Sequence, residues 1–172
     1  INNQFSDIVQ YGVQIENWNA SGANTSTVEI NNNSFNKCLY DLYATNNVTV
    51  KLRFYSNLST YPFVAVKPKV TYHAYISESG NPTTAKYNLG FNNSTGKVTG
   101  IYSNYTYSPA IVNNTITVRT PIGAGFNAPI WLDFTNLGDI KSNILNVNPS
   151  NSHSWNTFGI FTNVGNNNLF CD

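Results

Sequence analysis

The chain has 172 residues, enough for one substantial hydrophobic core, and its formal net charge is +1. Only 10% of the residues are charged, and the nine Lys and Arg residues are spread singly. The chain therefore lacks the clusters of basic residues that nucleic-acid binding requires, and no nucleic-acid partner is expected. No apolar run approaches the ~20 residues of a spanning helix, so no membrane insertion is expected. A start at Ile1 and the lack of Met are typical of a mature or excised segment.

Asparagine dominates the polar residues, with 30 copies in the chain. Its side chain favours turns and carries both a hydrogen-bond donor and an acceptor without any charge. Aromatic residues add a further 14%. A surface of amides and aromatic rings suits an extracellular β-domain that binds a hydroxyl-rich ligand rather than an enzyme.

Period-two alternation of apolar and polar residues is the main structural pattern along the chain. In chain order it predicts strands at 8–15, 27–30, 38–44, 48–55, 64–76, 85–91, 97–102, 112–118, 130–134, 144–147 and 158–160. Turn-rich clusters separate them, at 17–24, 31–33, 78–83, 92–96, 123–128 and 148–154. We find no linker, no internal repeat and no long helical period. The prediction is an all-β chain with minimal helix, forming one domain over 1–172, a two-sheet β-sandwich of immunoglobulin-like or jelly-roll-like type.

The same alternation predicts which apolar side chains form the core. The expected core residues are Val50, Leu52, Phe54, Val64, Val66, Ile116, Val118, Leu132, Phe134 and Ile160. His73 lies in a predicted strand, and we expect it at the surface.

The two cysteines, Cys38 and Cys171, are expected to form a disulfide that ties an early strand to the C-terminal end of the chain. The alternative is two unpaired thiols, one in the core and one on the terminal segment. A bridge would indicate an oxidising, extracellular compartment.

No enzyme template fits the titratable residues. The two histidines and the scattered carboxylates lack the spacing of a zinc or calcium site, so no metal and no cofactor are expected. The chain has no Gly-X-Ser-X-Gly elbow for a serine nucleophile. A glycosidase pair would require two of eight carboxylates to meet by folding alone. The protein is therefore expected not to be an enzyme.

Three polar segments carry aromatic residues that could bind a sugar. An aromatic platform beside planar amides is the usual construction of a carbohydrate site. The candidate ligand-binding residues in these segments are Trp18, Asn19, Asn104, Tyr105, Tyr107, His153, Trp155 and Asn156. The alternative is that these aromatic residues begin strands and close the ends of the core. Trp131 is expected to be structural, although Asp133 on the same face could reach a ligand.

An Asn- and Tyr-rich, weakly charged β-domain resembles the receptor-binding lectin domains at the tips of chaperone–usher fimbriae. The segment Phe35-Asn36-Lys37-Cys38-Leu39-Tyr40-Asp41 is similar to the cysteine-bearing strand of those adhesins. The resemblance implies a non-catalytic adhesin on the cell surface, at a fimbrial tip, that binds a host glycan or glycoprotein within a larger surface assembly. The chain departs from the mannose-binding members at Ile1, where they carry an aromatic residue, and in the wide separation of its cysteines.

Two other functions remain open. A viral attachment domain on the virion surface would use the Asn-X-Ser/Thr sequons, which begin at Asn19, Asn24, Asn32, Asn47, Asn57, Asn92, Asn93, Asn104 and Asn113. A structural pilin or shell subunit would share the composition but would need an exposed strand groove or a donor extension for assembly.

Overall fold

The computed structural model describes residues 2–8, 10–17, 27–47, 51–61, 71–78, 86–90, 93–119, 123–136, 138–148, 153–163, 165 and 169–172. The regular structure in these residues consists of twenty short β-strands without a helix. The all-β prediction is therefore confirmed.

Three sheets of six strands each contain almost all of these strands. Sheet A consists of β1 (Gln4–Ser6), β4 (Ser34–Asn36), β7 (Leu58–Thr60), β10 (Asn93–Lys97), β13 (Thr115–Arg119) and β17 (Ile144–Asn148). Sheet B consists of β2 (Tyr11–Glu16), β5 (Tyr40–Thr45), β8 (Tyr72–Ser77), β11 (Thr99–Asn104), β15 (Ile130–Asp133) and β19 (Ile160–Thr162). Sheet C consists of β3 (Thr27–Asn31), β6 (Lys51–Tyr55), β9 (Lys86–Gly90), β12 (Ala110–Val112), β16 (Asp139–Lys141) and β20 (Phe170–Cys171). A separate parallel pair joins β14 (Gly123–Asn127) to β18 (His153–Thr157).

The chain passes through sheets A, B and C in turn and then repeats the circuit, so it forms six coils of a three-sided parallel β-solenoid. The strands pair in parallel with those of the neighbouring coils, as β5 does with β2 and β8. The predicted two-sheet sandwich, whether immunoglobulin-like or jelly-roll-like, is wrong. Inward and outward side chains alternate in any sheet with one solvated face, so the alternation could not distinguish the two folds.

The coil is also an internal repeat, which the sequence analysis missed. The repeat length varies from 22 residues, between the first residues of β10 and β13, to 35 residues, between those of β7 and β10. Because the connections between the stacked strands differ in length, the repeat has no constant period in the sequence.

The corner between sheets C and A has the same construction in every coil where it is described. One residue adopts a left-handed conformation, and an asparagine follows it directly before the sheet A strand. The left-handed residues are Asn2, Asn32, Ser56, Asn113 and Ser142, with φ between 51° and 58°. Asn is among the few residues that tolerate this conformation, which explains part of its abundance.

The asparagines that follow form a stacked amide ladder, which we call the asparagine ladder: Asn3, Asn33, Asn57, Asn114 and Asn143. The Oδ1 atom of Asn57 accepts hydrogen bonds from the backbone N and from Nδ2 of Asn33, both at 3.0 Å. Asn57 Nδ2 donates to the backbone oxygen of Ile30 at 2.9 Å. Asn143 Oδ1 likewise accepts from Asn114 N and Nδ2, at 3.0 and 2.9 Å. The ladder thereby satisfies buried corner amides that no sheet hydrogen bond can reach.

The core fills the interior of the solenoid. Of the expected core residues, Leu52, Phe54, Ile116, Val118 and Leu132 are buried, as predicted. Phe134 and Ile160 are 37% exposed, so their assignment to the core is wrong. Phe134 lies where the chain turns out of sheet B with φ of 45°, and Ile160 lies in the edge strand β19. Val50, Val64 and Val66 lie outside the described residues.

The predicted disulfide is also wrong, because Cys38 is a buried free thiol and Cys171 an exposed one. Cys38 directly follows the corner after β4 in the second coil, whereas Cys171 lies in β20 of the sixth. Four strand spacings separate these coils, or ~19 Å, while a disulfide requires Cα atoms within about 7 Å.

Replacing Asn57 by Ala should lower the free energy of unfolding by about 1–3 kcal/mol, because it leaves buried groups of Asn33 and Ile30 without partners. Urea unfolding measures this loss. The matched control is Asn146→Ala on the exposed face of β17, which should change stability by less than about 0.5 kcal/mol. Equal losses for the two variants would contradict a structural role for the ladder.

The two thiols should differ in reactivity. In the native protein a thiol reagent should label Cys171 at once, and Cys38 should react only after denaturant unfolds the chain, because burial shields it and raises its pKa. Mass spectrometry of labelled peptides distinguishes the sites. Rapid native labelling of Cys38 would contradict its placement.

Candidate functional site

The outer face of sheet B carries a continuous row of aromatic side chains, one from each of five successive coils. We call this row the aromatic ladder: Tyr43, Tyr75, Tyr102, Trp131 and Phe161. Parallel in-register pairing places each of them next to the following one, because residues at the same register lie one strand spacing apart. The ladder therefore follows the solenoid axis for ~20 Å.

The tyrosine part of the ladder is stacked. The ring centroids of Tyr43 and Tyr75 lie 5.1 Å apart at an interplanar angle of 6°, and those of Tyr75 and Tyr102 lie 4.9 Å apart at 26°. The Trp131 ring then turns almost perpendicular, at 86° to Tyr102 and 83° to Phe161. These contacts hold the rings in fixed positions on the sheet.

A shorter row of tyrosines lies beside the ladder and consists of Tyr11, Tyr40 and Tyr72. Tyr40 stacks on Tyr72 at 5.2 Å, and Tyr11 contacts Tyr43 of the ladder at 4.3 Å. Burial raises the pKa of Tyr72, and the neighbouring phenols raise it further. Tyr72 therefore keeps a neutral hydroxyl group at physiological pH.

A polar row borders the ladder on its other side, towards the end of each strand. Its members are Glu16, Thr45, Ser77, Asn104 and Asp133. Asn104 Nδ2 donates to Ser77 Oγ at 3.1 Å. Asp133 accepts from Trp131 Nε1 at 3.0 Å and from the Tyr102 hydroxyl at 3.2 Å. The polar row is thus hydrogen-bonded to itself and to the ladder.

Charge is unevenly distributed over the three faces. Within the described strands of sheet B the outward-facing charges are Glu16 and Asp133, at opposite ends of the polar row. Sheet C instead carries Glu29, Lys51, Arg53, Asp139 and Lys141. Burial, followed by the Asp133 charge, raises the pKa of Tyr102 and keeps its hydroxyl neutral. Sheet B offers a face of rings, hydroxyls and amides with little net charge.

The described members of the predicted ligand-binding set lie in different parts of the fold. Asn104 belongs to the polar row, and Tyr105 follows it at the corner, stacked on Phe134 with a centroid distance of 4.4 Å. Tyr107 is 38% exposed, on the connection from β11 to β12. His153, Trp155 and Asn156 lie in β18, which precedes sheet B at the opposite ends of its strands. Trp18 and Asn19 lie outside the described residues.

Sequence reasoning missed Tyr43 and Tyr75 and assigned Trp131 a structural role only. A repeated pattern could have identified the tyrosines, because Tyr-X-X-Tyr occurs at 40–43 and again at 72–75. In both strands two consecutive residues between the tyrosines are buried, so the tyrosines share the outer face despite their odd spacing. A strict period of two would have placed them on opposite faces.

One buried corner between sheets B and C contains a carboxyl group. Glu78 is 3% exposed, and it accepts from the backbone N of Asn47 at 2.6 Å and from the hydroxyl of Tyr87. Burial raises the pKa of Glu78 to about 7. A perturbed carboxyl can mark a catalytic acid, but here both oxygens hold buried partners. Its role in the described structure is to close the corner.

A second buried polar group lies inside the second to fourth coils. Asp41 is fully buried between Lys97, whose Nζ lies 3.0 Å from Oδ1, and His73, whose Nδ1 lies 2.7 Å from Oδ2. Lys97 Nζ also donates to the backbone oxygen of Cys38 and lies 5.0 Å from the centre of the Tyr61 ring. The expected surface position of His73 is wrong, since it is fully buried against Phe54.

Comparison with protein-family models, curated proteins and solved structures finds no match to this chain. Within the described residues, no three His, Cys, Asp or Glu side chains are grouped as metal ligands. The described part of the chain also has no helix long and apolar enough to cross a membrane.

Glu78 should make stability depend on pH. Because its pKa rises from 4.5 to about 7 on folding, the folded state holds the proton more tightly. Its contribution is therefore complete below about pH 4.5 and is lost as the pH rises through about 7, by up to about 3 kcal/mol. Urea unfolding of the wild type and of Glu78→Gln between these values measures it.

The Gln variant should lose this part of the pH dependence, whereas Glu29→Gln on the exposed face of sheet C should keep it. Identical pH profiles for wild type and Glu78→Gln would contradict the assignment.

Proposed function

We propose that the protein is an extracellular, non-catalytic glycan-binding module whose ligand lies along the outer face of sheet B. The observation that carries the proposal is the aromatic ladder beside the polar row, both in register over successive coils. Sugars combine apolar C–H faces with many hydroxyl groups, and this surface offers rings and neutral hydrogen-bonding groups side by side. The ligand would be a carbohydrate on a host surface, free or attached to a glycoprotein.

The position of the carboxylates supports binding without turnover. Glu16 and Asp133 are four strand spacings apart along the polar row, or ~19 Å. Hydrolysis of a glycosidic bond requires two carboxyl groups within about 5–9.5 Å of each other. Asp133 is also engaged by Trp131 and Tyr102, which gives it a positioning role.

A structural role in a larger surface assembly is the second candidate. The observation that favours it is the exposed apolar edge of the last coil, where Ile144 is 60% and Phe170 61% exposed. Edge strands with such residues can pair with another chain. Concentration-dependent assembly without any glycan binding would favour this function over the first.

The binding proposal predicts that Tyr75→Ala lowers affinity for the bound glycan about tenfold, or ~1.4 kcal/mol, because Tyr75 is the centre of the stacked tyrosines. A glycan array identifies a ligand for the wild type, and calorimetry then measures the affinity of each variant. Tyr75→Phe retains the stack and should reveal the share contributed by the hydroxyl group.

The matched control is Tyr55→Ala, which removes a half-buried outward ring from sheet C beside Arg53. This variant should lose about as much stability as Tyr75→Ala does, and its affinity for the glycan should be unchanged. An equal loss of binding in both variants, or no binding by the wild type at millimolar glycan, would overturn the proposal.

A further inference from the structure

The Lys97–Asp41 pair differs in burial from three other Lys or Arg ion pairs of the described residues. Both side chains have 0% exposure, whereas both partners in the pairs Lys37–Asp7, Arg53–Glu29 and Lys141–Asp139 are more than a third exposed. Moving two charges from water into a protein interior costs free energy for each ion, and their attraction offsets this only where the geometry and further hydrogen bonds are favourable. Proton transfer within the pair, from the ammonium to the carboxylate, is therefore easier in the interior than in water.

Burial lowers the pKa of the Lys97 amine and so favours its neutral form, whereas the neighbouring Asp41 acts in the opposite direction. The contacts around Nζ are the backbone oxygen of Cys38, the ring of Tyr61 and Asp41 itself. A desolvated, uncharged lysine is a nucleophile, as in enzymes that use a buried lysine for covalent catalysis.

We propose that Lys97 and Asp41 become joined by an intramolecular amide bond between Nζ and Cγ. Nζ lies 3.0 Å from Oδ1 of the Asp41 carboxyl group, so the carbon that it would attack is one bond beyond the atom that it already contacts. Folding holds both groups in this position for the life of the protein, so a slow reaction would reach completion.

The reaction is a condensation that needs no external reagent. The neutral amine of Lys97 attacks Cγ of the protonated Asp41 carboxyl group, and the new C–N bond forms as the carbonyl electrons move onto Oδ1. The nitrogen then loses one proton, the carboxyl hydroxyl leaves with one proton as water, and the C=O bond is restored. Amine and acid thus give one amide and one water.

His73 is placed to carry the proton between these steps. Its Nδ1 atom lies 2.7 Å from Oδ2, the oxygen that departs as water, on the side of Asp41 opposite Lys97. Its Nε2 atom has no hydrogen-bond partner among the described residues. Nδ1 can therefore exchange a proton with Oδ2, which is the general acid and base role that imidazole often has in proteins.

The bond would tie the second coil to the fourth through the interior. Asp41 lies in β5 of sheet B and Lys97 in β10 of sheet A, 56 residues apart in the chain. The cross-link would keep these coils together even when the strand between them is pulled, which suits a surface protein exposed to mechanical load. The inference does not depend on the proposed glycan binding.

The test is the intact mass of the purified, denatured protein, followed by peptide mapping. We expect the wild type to be lighter than its sequence by one water, with the fragment containing Lys97 joined to the fragment containing Asp41. The pairs Lys37–Asp7 and Lys141–Asp139, with N–O distances of 3.0 and 3.1 Å, are internal controls. They should remain unlinked because both partners in each pair are exposed to water.

Variants identify the atoms involved. Lys97→Arg should restore the full sequence mass, and Asp41→Asn should lose ammonia instead of water if it reacts. His73→Gln should slow formation of the bond at least tenfold after refolding. A wild type with the full sequence mass, or a water lost at any other pair of residues, would overturn the proposal. The mass of the wild type tests the proposed bond even if a variant fails to fold. Linkage of His73→Gln at the wild-type rate would overturn the role assigned to His73.

Discussion

The left-handed corner followed by a hydrogen-bonded asparagine is the constraint on which the rest of the structure depends. Where it is described, the corner turns the chain from sheet C into sheet A, and the amide of the next asparagine binds the corresponding amide one coil away. A shift of one residue in any coil would break these side-chain hydrogen bonds and invert every side chain in the strand that follows. The ladder therefore fixes the register of the coils against each other.

Fixed register makes each face of the solenoid a set of rows. A residue type that recurs at one position of the coil stacks on itself, as Phe5 does on Phe35 at 4.8 Å inside and Tyr43 on Tyr75 outside. The same corners that use asparagine for its conformation also determine which tyrosines meet. The hydrogen bonds at the corner between sheets C and A thus determine how the aromatic side chains of sheet B align.

Some of this could be predicted from sequence and some could not. The alternation at 51–55 correctly predicted Leu52 and Phe54 in the core, because inward and outward positions alternate in any half-exposed strand. It failed at Phe134, where the chain leaves the strand, and at His73, where two buried residues lie in succession. Which strands pair depends on the number of residues in each coil. This number varies too much for a repeat to be detected in the sequence. The interaction of Asp41 with Lys97 depends on that pairing, so spacing in the chain gave no indication of it.

The asparagine sequons illustrate how the fold changes the meaning of a motif. Asn47 and Asn57 both begin an Asn-X-Ser/Thr sequon, yet each is only 1% exposed and uses its amide to bond the backbone of another coil. Neither can carry a glycan in the folded chain. On a surface loop such an amide could be an attachment point, but here it forms an internal hydrogen bond between two coils. Because these hydrogen bonds hold the coils in place, the rings and hydroxyls of sheet B are ordered in the free protein. If this face binds a glycan as proposed, little conformational entropy would be lost on binding, and weak contacts with successive sugar units would add up along its ~20 Å.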